Sequence, residues 1–178
     1  MRSEDANKNG RRDEGEGDPR DGADDAEVGT IDSDGDGLTD LEEEALRVDP
    51  SDADTDDDGV VDGLEHDWAL DSDGDGLINA RDGDSDNDGL PDGLERGVIR
   101  RVGGIPGVVK GTDLGMGRFR ADRDPSSRTS MVNPDSDFGG LRDGFEDSDH
   151  DGAHVSALGE GDPLDPADDG APSPCGPG

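Results

Sequence analysis

A twelve-residue unit built on alternating aspartates recurs along this chain and dictates most of what it can fold into. DSDGDGLTDLEE begins at Asp32, DTDDDGVVDGLE at Asp54, DSDGDGLINARD at Asp71 and DSDNDGLPDGLE at Asp84. The starts lie 22, 17 and 13 residues apart, so the units are nearly contiguous and little room is left for long helices. A fifth unit, DANKNGRRDEGE from Asp5, keeps the polar positions with Asn7 and Asn9 in place of two aspartates. A sixth, DSDFGGLRDGFE from Asp135, carries Gly139 where the fifth-position carboxylate belongs, and a seventh, from Asp147, fits only over DSDHDG.

Such a chain cannot rely on a hydrophobic core. Acidic residues number 50 against 16 Lys and Arg, for a formal charge of −34, while hydrophobic residues make up 26% and aromatic residues 2%. Ordering the backbone costs roughly 1–2 kcal/mol per residue, and carboxylate repulsion adds to that cost. Without another source of order the composition is that of a disordered polyanion. A bound cation is therefore expected, whereas nucleic acid and anionic membrane would be repelled. The single Cys175 permits no internal disulfide, which leaves metal as the staple. No apolar run is long enough to span a membrane, and Met1–Arg20 lacks the apolar stretch of a signal peptide. The chain starts inside a repeat and ends at SPCGPG, and so is expected to be a fragment lacking its export signal, or a mis-called reading frame.

The register of the units points to Ca²⁺, a hard cation that takes six to eight oxygens, which a twelve-residue loop supplies from positions 1, 3, 5, 7, 9 and 12. In the first strong unit these are Asp32, Asp34, Asp36, the Leu38 carbonyl, Asp40 and Glu43, with Gly37 making the turn at position 6. The same assignment gives Asp54, Asp56, Asp58, Val60, Asp62 and Glu65 in the second, and Asp84, Asp86, Asp88, Leu90, Asp92 and Glu95 in the fourth. The third uses Asp71, Asp73, Asp75, Leu77, Asn79 and Asp82, whose shorter position-12 side chain ranks it below the others. Partial sets are Asp5, Asn7, Asn9, Asp13 and Glu16; Asp135, Asp137, Asp143 and Glu146; and Asp147, Asp149 and Asp151. All-oxygen ligation disfavours zinc, copper and iron, and Mg²⁺ would demand a tighter octahedron. Each site is expected to act locally, so that losing Asp58 or Asp88 weakens one site and spares the rest.

Paired EF-hands are a poor fit. Position 8, whose backbone pairs with a partner loop in that fold, is Thr39, Val61, Ile78 and Pro91, and Pro91 has no N–H to donate. The regular apolar position is instead 7: Leu38, Val60, Leu77, Leu90 and Leu141. Repeated DxDxDGLxDxxE units with an apolar position 7 resemble bacterial thrombospondin type 3 repeats, over residues 4–96 and 133–152. The stretch GTDLGMGRFRADRDPSS, followed by NPDSDFGGLRDGFED, also resembles longer repeat units of bacterial surface and secreted proteins. The resemblance implies a domain wound around several calcium ions, extracellular or on the cell surface, that spaces other domains or takes part in adhesion. The cysteines that pair between repeats in the animal version are missing here.

The expected fold is mostly irregular: calcium-stabilised tandem loops with short helical turns and little hydrophobic core, thrombospondin type 3-like. Residues 1–31 form a partial repeat and acidic linker, 32–96 the main array, 97–132 a basic, Gly-rich insertion, 133–160 degenerate repeats and 161–178 a Pro-rich disordered tail. Helical turns are expected over Leu38–Arg47 and over Val60–Ala69, the latter anchored by Leu64, Trp68 and Leu70. The insertion reads either as a hairpin around Gly103-Gly104 or as a linker whose cations answer the acidic flanks. His66, His150 and His154 read as solvent-exposed and Cys175 as an unpaired thiol. No active site is expected, since a hydrolase needs a walled pocket to shift its carboxylates. Three alternatives remain open: an interaction module contacting an extracellular or surface partner through Arg100, Arg101, Arg118 and Arg120, a dockerin-like docking module, and a disordered acidic calcium buffer.

Overall fold

Each unit closes on itself through its own carboxylates, and this sets the architecture of the computed structural model, which describes residues 30–155 and 159–169. The position-9 N–H returns to the carbonyl just before position 1, as in Asp40 to Ile31 at 2.8 Å, Asn79 to Leu70 at 2.7 Å and Asp92 to Gly83 at 3.1 Å. Between these points the backbone takes positive φ at position 4 (Gly35, Asp57, Gly74, Asn87, Phe138, His150) and again at the position-6 glycine. Loops of one shape result, wherever the sequence allows the left-handed region.

Regular structure is sparse. Helix α1, Asp40–Leu46, starts from a capping box in which Thr39 and Glu42 bond reciprocally, and it ends at Arg47 in the left-handed conformation. Helices α2, Asp92–Glu95, and α3, Asp143–Glu146, are single turns, and Asp62–Leu64 and Asn79–Arg81 form 3-10 turns. Only isolated bridges, Asp52 to Lys110 and Ile105 to Val109, stand in for sheet among the described residues. None of their helices is long and apolar enough to cross a membrane. The expected helical turn over Val60–Ala69 shrinks to Asp62–Leu64, and its supposed anchors face solvent: Leu64 is 55% and Leu70 57% exposed, with Trp68 half-buried.

Four loops stack in the order Asp32, Asp54, Asp84, Asp135, and each of the last three rests its position-10 glycine on position 5 of the loop before. Gly144 N–H donates to Asp88 Oδ2 at 2.9 Å, Gly93 N–H donates to Asp58 Oδ2, and the Gly63 N–H faces the Asp36 carboxylate. The approach requires glycine: a Cβ on Gly63 would lie 2.7 Å from the Asp36 carbonyl oxygen and one on Gly144 2.6 Å from that of Asp88. The Asp71 loop has Ala80 at this position and is left out of the stack. Its Ala80 N–H donates to the Trp68 carbonyl at 3.1 Å, and Asn79–Arg81 lies beside Asp62–Leu64.

The insertion is a strap laid along the stack. Its turn sits at Pro106–Val108, closed by the Ile105 to Val109 bridge, and not at Gly103-Gly104. Lys110 pairs with Asp49 at 2.5 Å and Asp52 at 3.5 Å, Thr112 donates to Asp54, and the Asp113 N–H donates to Asp57 Oδ1 at 2.5 Å. Further on, Arg123 pairs with Asp151, Ser127 Oγ donates to the Gly152 carbonyl at 2.6 Å and Thr129 Oγ1 to Glu95 Oε1 at 2.9 Å. Residues 161–169, expected to belong to a disordered tail, form turns instead and dock on the Asp135 loop through Asp169, whose Oδ2 accepts from the Leu141 N–H at 2.8 Å.

A candidate metal centre in the repeat loops

The interior of the stack is made of carboxylates. Eight apolar side chains are buried among the described residues, against fifteen Asp and Glu, so packing of hydrocarbon cannot be what holds the layers together. The position-7 side chains Leu38, Val60 and Leu90 supply three of those apolar groups.

Within each loop the backbone aims the carboxylates inward. The position-1 aspartate accepts from the N–H of position 6, at 3.3 Å for Asp32, 3.1 Å for Asp71 and Asp84, and 3.0 Å for Asp135. Position 3 accepts from position 5, as Asp56 does from the Asp58 N–H at 3.2 Å. Position 5 accepts from position 7, at 2.7 Å for Asp36, Asp58 and Asp75 and 2.8 Å for Asp88. One oxygen of each side chain is thereby fixed. The triads Asp32, Asp34, Asp36; Asp54, Asp56, Asp58; Asp71, Asp73, Asp75; and Asp84, Asp86, Asp88 each bring an oxygen from all three members within 4.8 Å of one another.

Positions 9 and 12 divide differently from the sequence reading. The position-9 side chain closes the neck of its own loop by accepting from the N–H and hydroxyl of position 2. Asp40 takes Ser33 at 2.9 and 2.8 Å, Asp62 takes Thr55 at 2.8 and 2.7 Å, Asp92 takes Ser85 at 2.9 and 2.5 Å, and Asp143 takes Ser136 at 2.8 and 2.6 Å. Asn79 closes its loop with one bond reversed: its Oδ1 accepts from the Ser72 N–H at 3.2 Å, while its Nδ2 donates to Ser72 Oγ at 2.9 Å. The position-12 glutamate points to the junction between loops. Glu43 groups with Asp36 of its own loop and Asp62 of the next, and Asp58, Asp56 and Asp92 surround Glu65 in the same way. Loss of Asp58 would thus disturb its own triad, the Glu65 junction and the Gly93 contact together, unlike the local site expected from sequence.

These groups carry unmet electrostatic demand. Glu43 is 0% exposed, and neither of its oxygens has a hydrogen-bond partner. Asp56, Asp86, Glu65 and Glu95 each bury one oxygen in the same state. Burial, reinforced by Asp34, Asp36 and Asp62, pushes the Glu43 carboxyl up to about 8, and burial pushes Asp92 to about 8 and Asp86 to about 7. Glu65 and Glu95 are likewise held well above the usual carboxylate range, first by burial and then by the aspartates around them. Buried like charges of this kind need protons or a cation to persist.

The remaining sequence-derived residues fall outside the stack interior or outside the description. Asp71 and Asp75 are exposed, while Asp82, raised to about 6 by burial, faces Asp75, Asp73 and Asp84. Asp149 is exposed, Asp151 is held by Arg123, and the buried Asp122 of the strap adds a carboxylate beside Asp147 and Asp151 that the repeat pattern does not reveal. Asp5, Asn7, Asn9, Asp13, Glu16 and Cys175 lie outside the described residues. His150 and His154 are half-buried, not exposed; an imidazole nitrogen of His150 lies 3.0 Å from the Gly144 carbonyl. Two of the four arginines considered for partner contact are engaged internally, Arg118 with the Asp56 carbonyl at 3.2 Å and Arg120 with that of His150 at 3.1 Å. No family model, curated protein or solved structure matches the chain.

Proposed function

We propose that this chain is a calcium-binding repeat module, similar to thrombospondin type 3 repeats, that acts as a spacer or in adhesion within a secreted or cell-surface protein. The observation that carries the reading is the buried Glu43 with both oxygens unpartnered, grouped with Asp36 and Asp62 from two successive loops. An all-oxygen, anionic donor set with loop-borne carboxylates suits Ca²⁺ better than softer metals. Each ion would cancel two charges and join neighbouring loops. Modules of the extracellular class bind at about 10⁻⁴–10⁻³ M, a range matched by the calcium outside cells. Calorimetric titration of chelated protein, with circular dichroism alongside, tests this. At least three ions bound with a gain of ordered structure and little response to magnesium is the expected result; weak, salt-sensitive binding without ordering refutes it.

A second reading, a partner site on the strap, draws on one observation. Ile105, Val108, Leu114 and Met116 are exposed there although apolar residues are scarce in the chain. If the strap is the functional surface, Val108→Asp will abolish partner capture while leaving calcium stoichiometry intact.

A further inference from the structure

The Asp135 loop lacks its position-5 carboxylate, and another part of the chain stands in its place. In the Asp32, Asp54, Asp71 and Asp84 loops the position-7 N–H donates to the position-5 aspartate at 2.7 or 2.8 Å. The equivalent N–H of Leu141 donates at 2.8 Å to Oδ2 of Asp169, 28 residues downstream. The Asp169 carboxylate fills the space a side chain on Gly139 would need: a Cβ built there falls inside contact distance of both its oxygens. The same segment passes so close to Glu146 that a Cβ on Gly161 would lie 2.6 Å from Glu146 Oε1.

The hydrogen bond alone would not make this a ligand site, but Glu146 does. It is 2% exposed, and both of its oxygens are buried without a hydrogen-bond partner. Asp135 Oδ1, Asp137 Oδ2, Asp168 Oδ1 and Asp169 Oδ1 are unpartnered in the same way. Asp169, Asp137 and Asp168 all press on Glu146, whose carboxyl is pushed up to about 8 chiefly by burial. The loop's own base does not relieve them, since Arg142 donates to the Asn87 carbonyl at 2.6 Å. Six carboxylate oxygens on residues that press on one another are therefore left without a hydrogen-bond partner, a number within the six to eight that Ca²⁺ takes.

We propose that Asp168 and Asp169 complete a divalent-cation site in the Asp135 loop, so that one calcium ion latches residues 161–169 onto the end of the stack. This rests on the calcium reading of the array and adds to it a split site in which a missing loop ligand is supplied from the C-terminal segment. Release of that ion frees the segment.

The test compares the full chain with Asp169→Ala and with Asp169→Ala/Gly139→Asp, by calcium calorimetry and by hydrogen exchange over residues 159–169 with and without calcium. Gly139 does not require a positive φ, so aspartate there can adopt the geometry of the other loops. Asp169→Ala is expected to bind one ion fewer and to lose the calcium-dependent protection of the segment. Adding Gly139→Asp is expected to recover the ion but not the protection, since the segment has no ligand left to give. Unchanged stoichiometry and protection in Asp169→Ala would overturn the split site while leaving the array's calcium binding intact. A wild-type chain that takes up no calcium at all would overturn both.

Discussion

Substituting Gly144 by alanine isolates the stacking contact, because local and tertiary effects act with opposite sign. Gly144 lies in α3, and in a free helix alanine is favoured over glycine by about 0.8–1 kcal/mol. In the stack, the added Cβ would sit 2.6 Å from the Asp88 carbonyl oxygen, and the atom it meets is backbone, which cannot swing aside. Overpacking of this kind costs about 1–3 kcal/mol. The displaced Gly144 N–H would also lose its 2.9 Å bond to the Asp88 carboxylate, and a hydrogen bond to a charged group contributes about 1.5–3 kcal/mol. The balance is a net loss of roughly 2–5 kcal/mol. With an m-value of about 1–3 kcal/mol per molar urea, the midpoint of unfolding in saturating calcium should fall by about 1 M or more. Gly103→Ala serves as the control, since a Cβ there meets nothing within 4 Å. A Gly144→Ala chain as stable as wild type, or more stable, would refute the stacking contact as a source of cohesion.

Three further outcomes follow from the site. Glu43, Asp92 and Glu146 are raised to about 8, Asp62 and Asp86 to about 7 and Asp34 and Asp143 to about 6, in each case first by burial. Carboxyls raised above their unfolded values stabilise the metal-free fold fully below about pH 4, and that stability is lost as pH rises through 6–8. Chelated protein should therefore be ordered in acid and expanded at pH 8, and calcium binding at pH 7 should release protons, read by calorimetry in two buffers; equal order at both pH values would refute this. Asp73→Asn, in the loop outside the stack, should remove one weak ion with little change in circular dichroism, whereas Asp58→Asn should lower both ion count and ordered structure. Thr112→Val removes the hydroxyl that donates to Asp54 and accepts from the Val102 N–H at 2.9 Å; at about 1–3 kcal/mol for the stranded buried groups, the strap should become susceptible to limited proteolysis near Ile105.

The inward triads and the position-6 turn were legible in the sequence, because alternate aspartates and a glycine are constraints that a single loop imposes on itself. The bond from position 9 to position 2 is not part of the ligand pattern, although its residues are plain in the sequence. Ser33, Thr55, Ser72, Ser85 and Ser136 all place a hydroxyl at position 2, and a hydroxyl seven residues before a carboxylate or amide is a neck-closing pair. Likewise, Gly63, Gly93 and Gly144 against Leu41 and Ala80 distinguish loops that rest on a predecessor from those that do not. Periodicity makes anchors of Leu64 and Leu70, yet the space beneath the loops is filled by glutamates and leaves the leucines outside. Asp169 had no local signature, only the deficit at Gly139 that it fills.

The docking contacts also determine how the chain would carry mechanical load. Asp58 is tied to Gly93 across 35 residues and Asp88 to Gly144 across 56. Tension applied to the two ends would pass from loop to loop through these ties and bypass the chain between them. Opening the Asp88 to Gly144 tie would release roughly 190 Å of contour at about 3.4 Å per residue, much of it from the strap. The Asp71 loop lies within the span closed by Asp58 and Gly93, so it is slack held in reserve, and force reaches it only after that tie has parted.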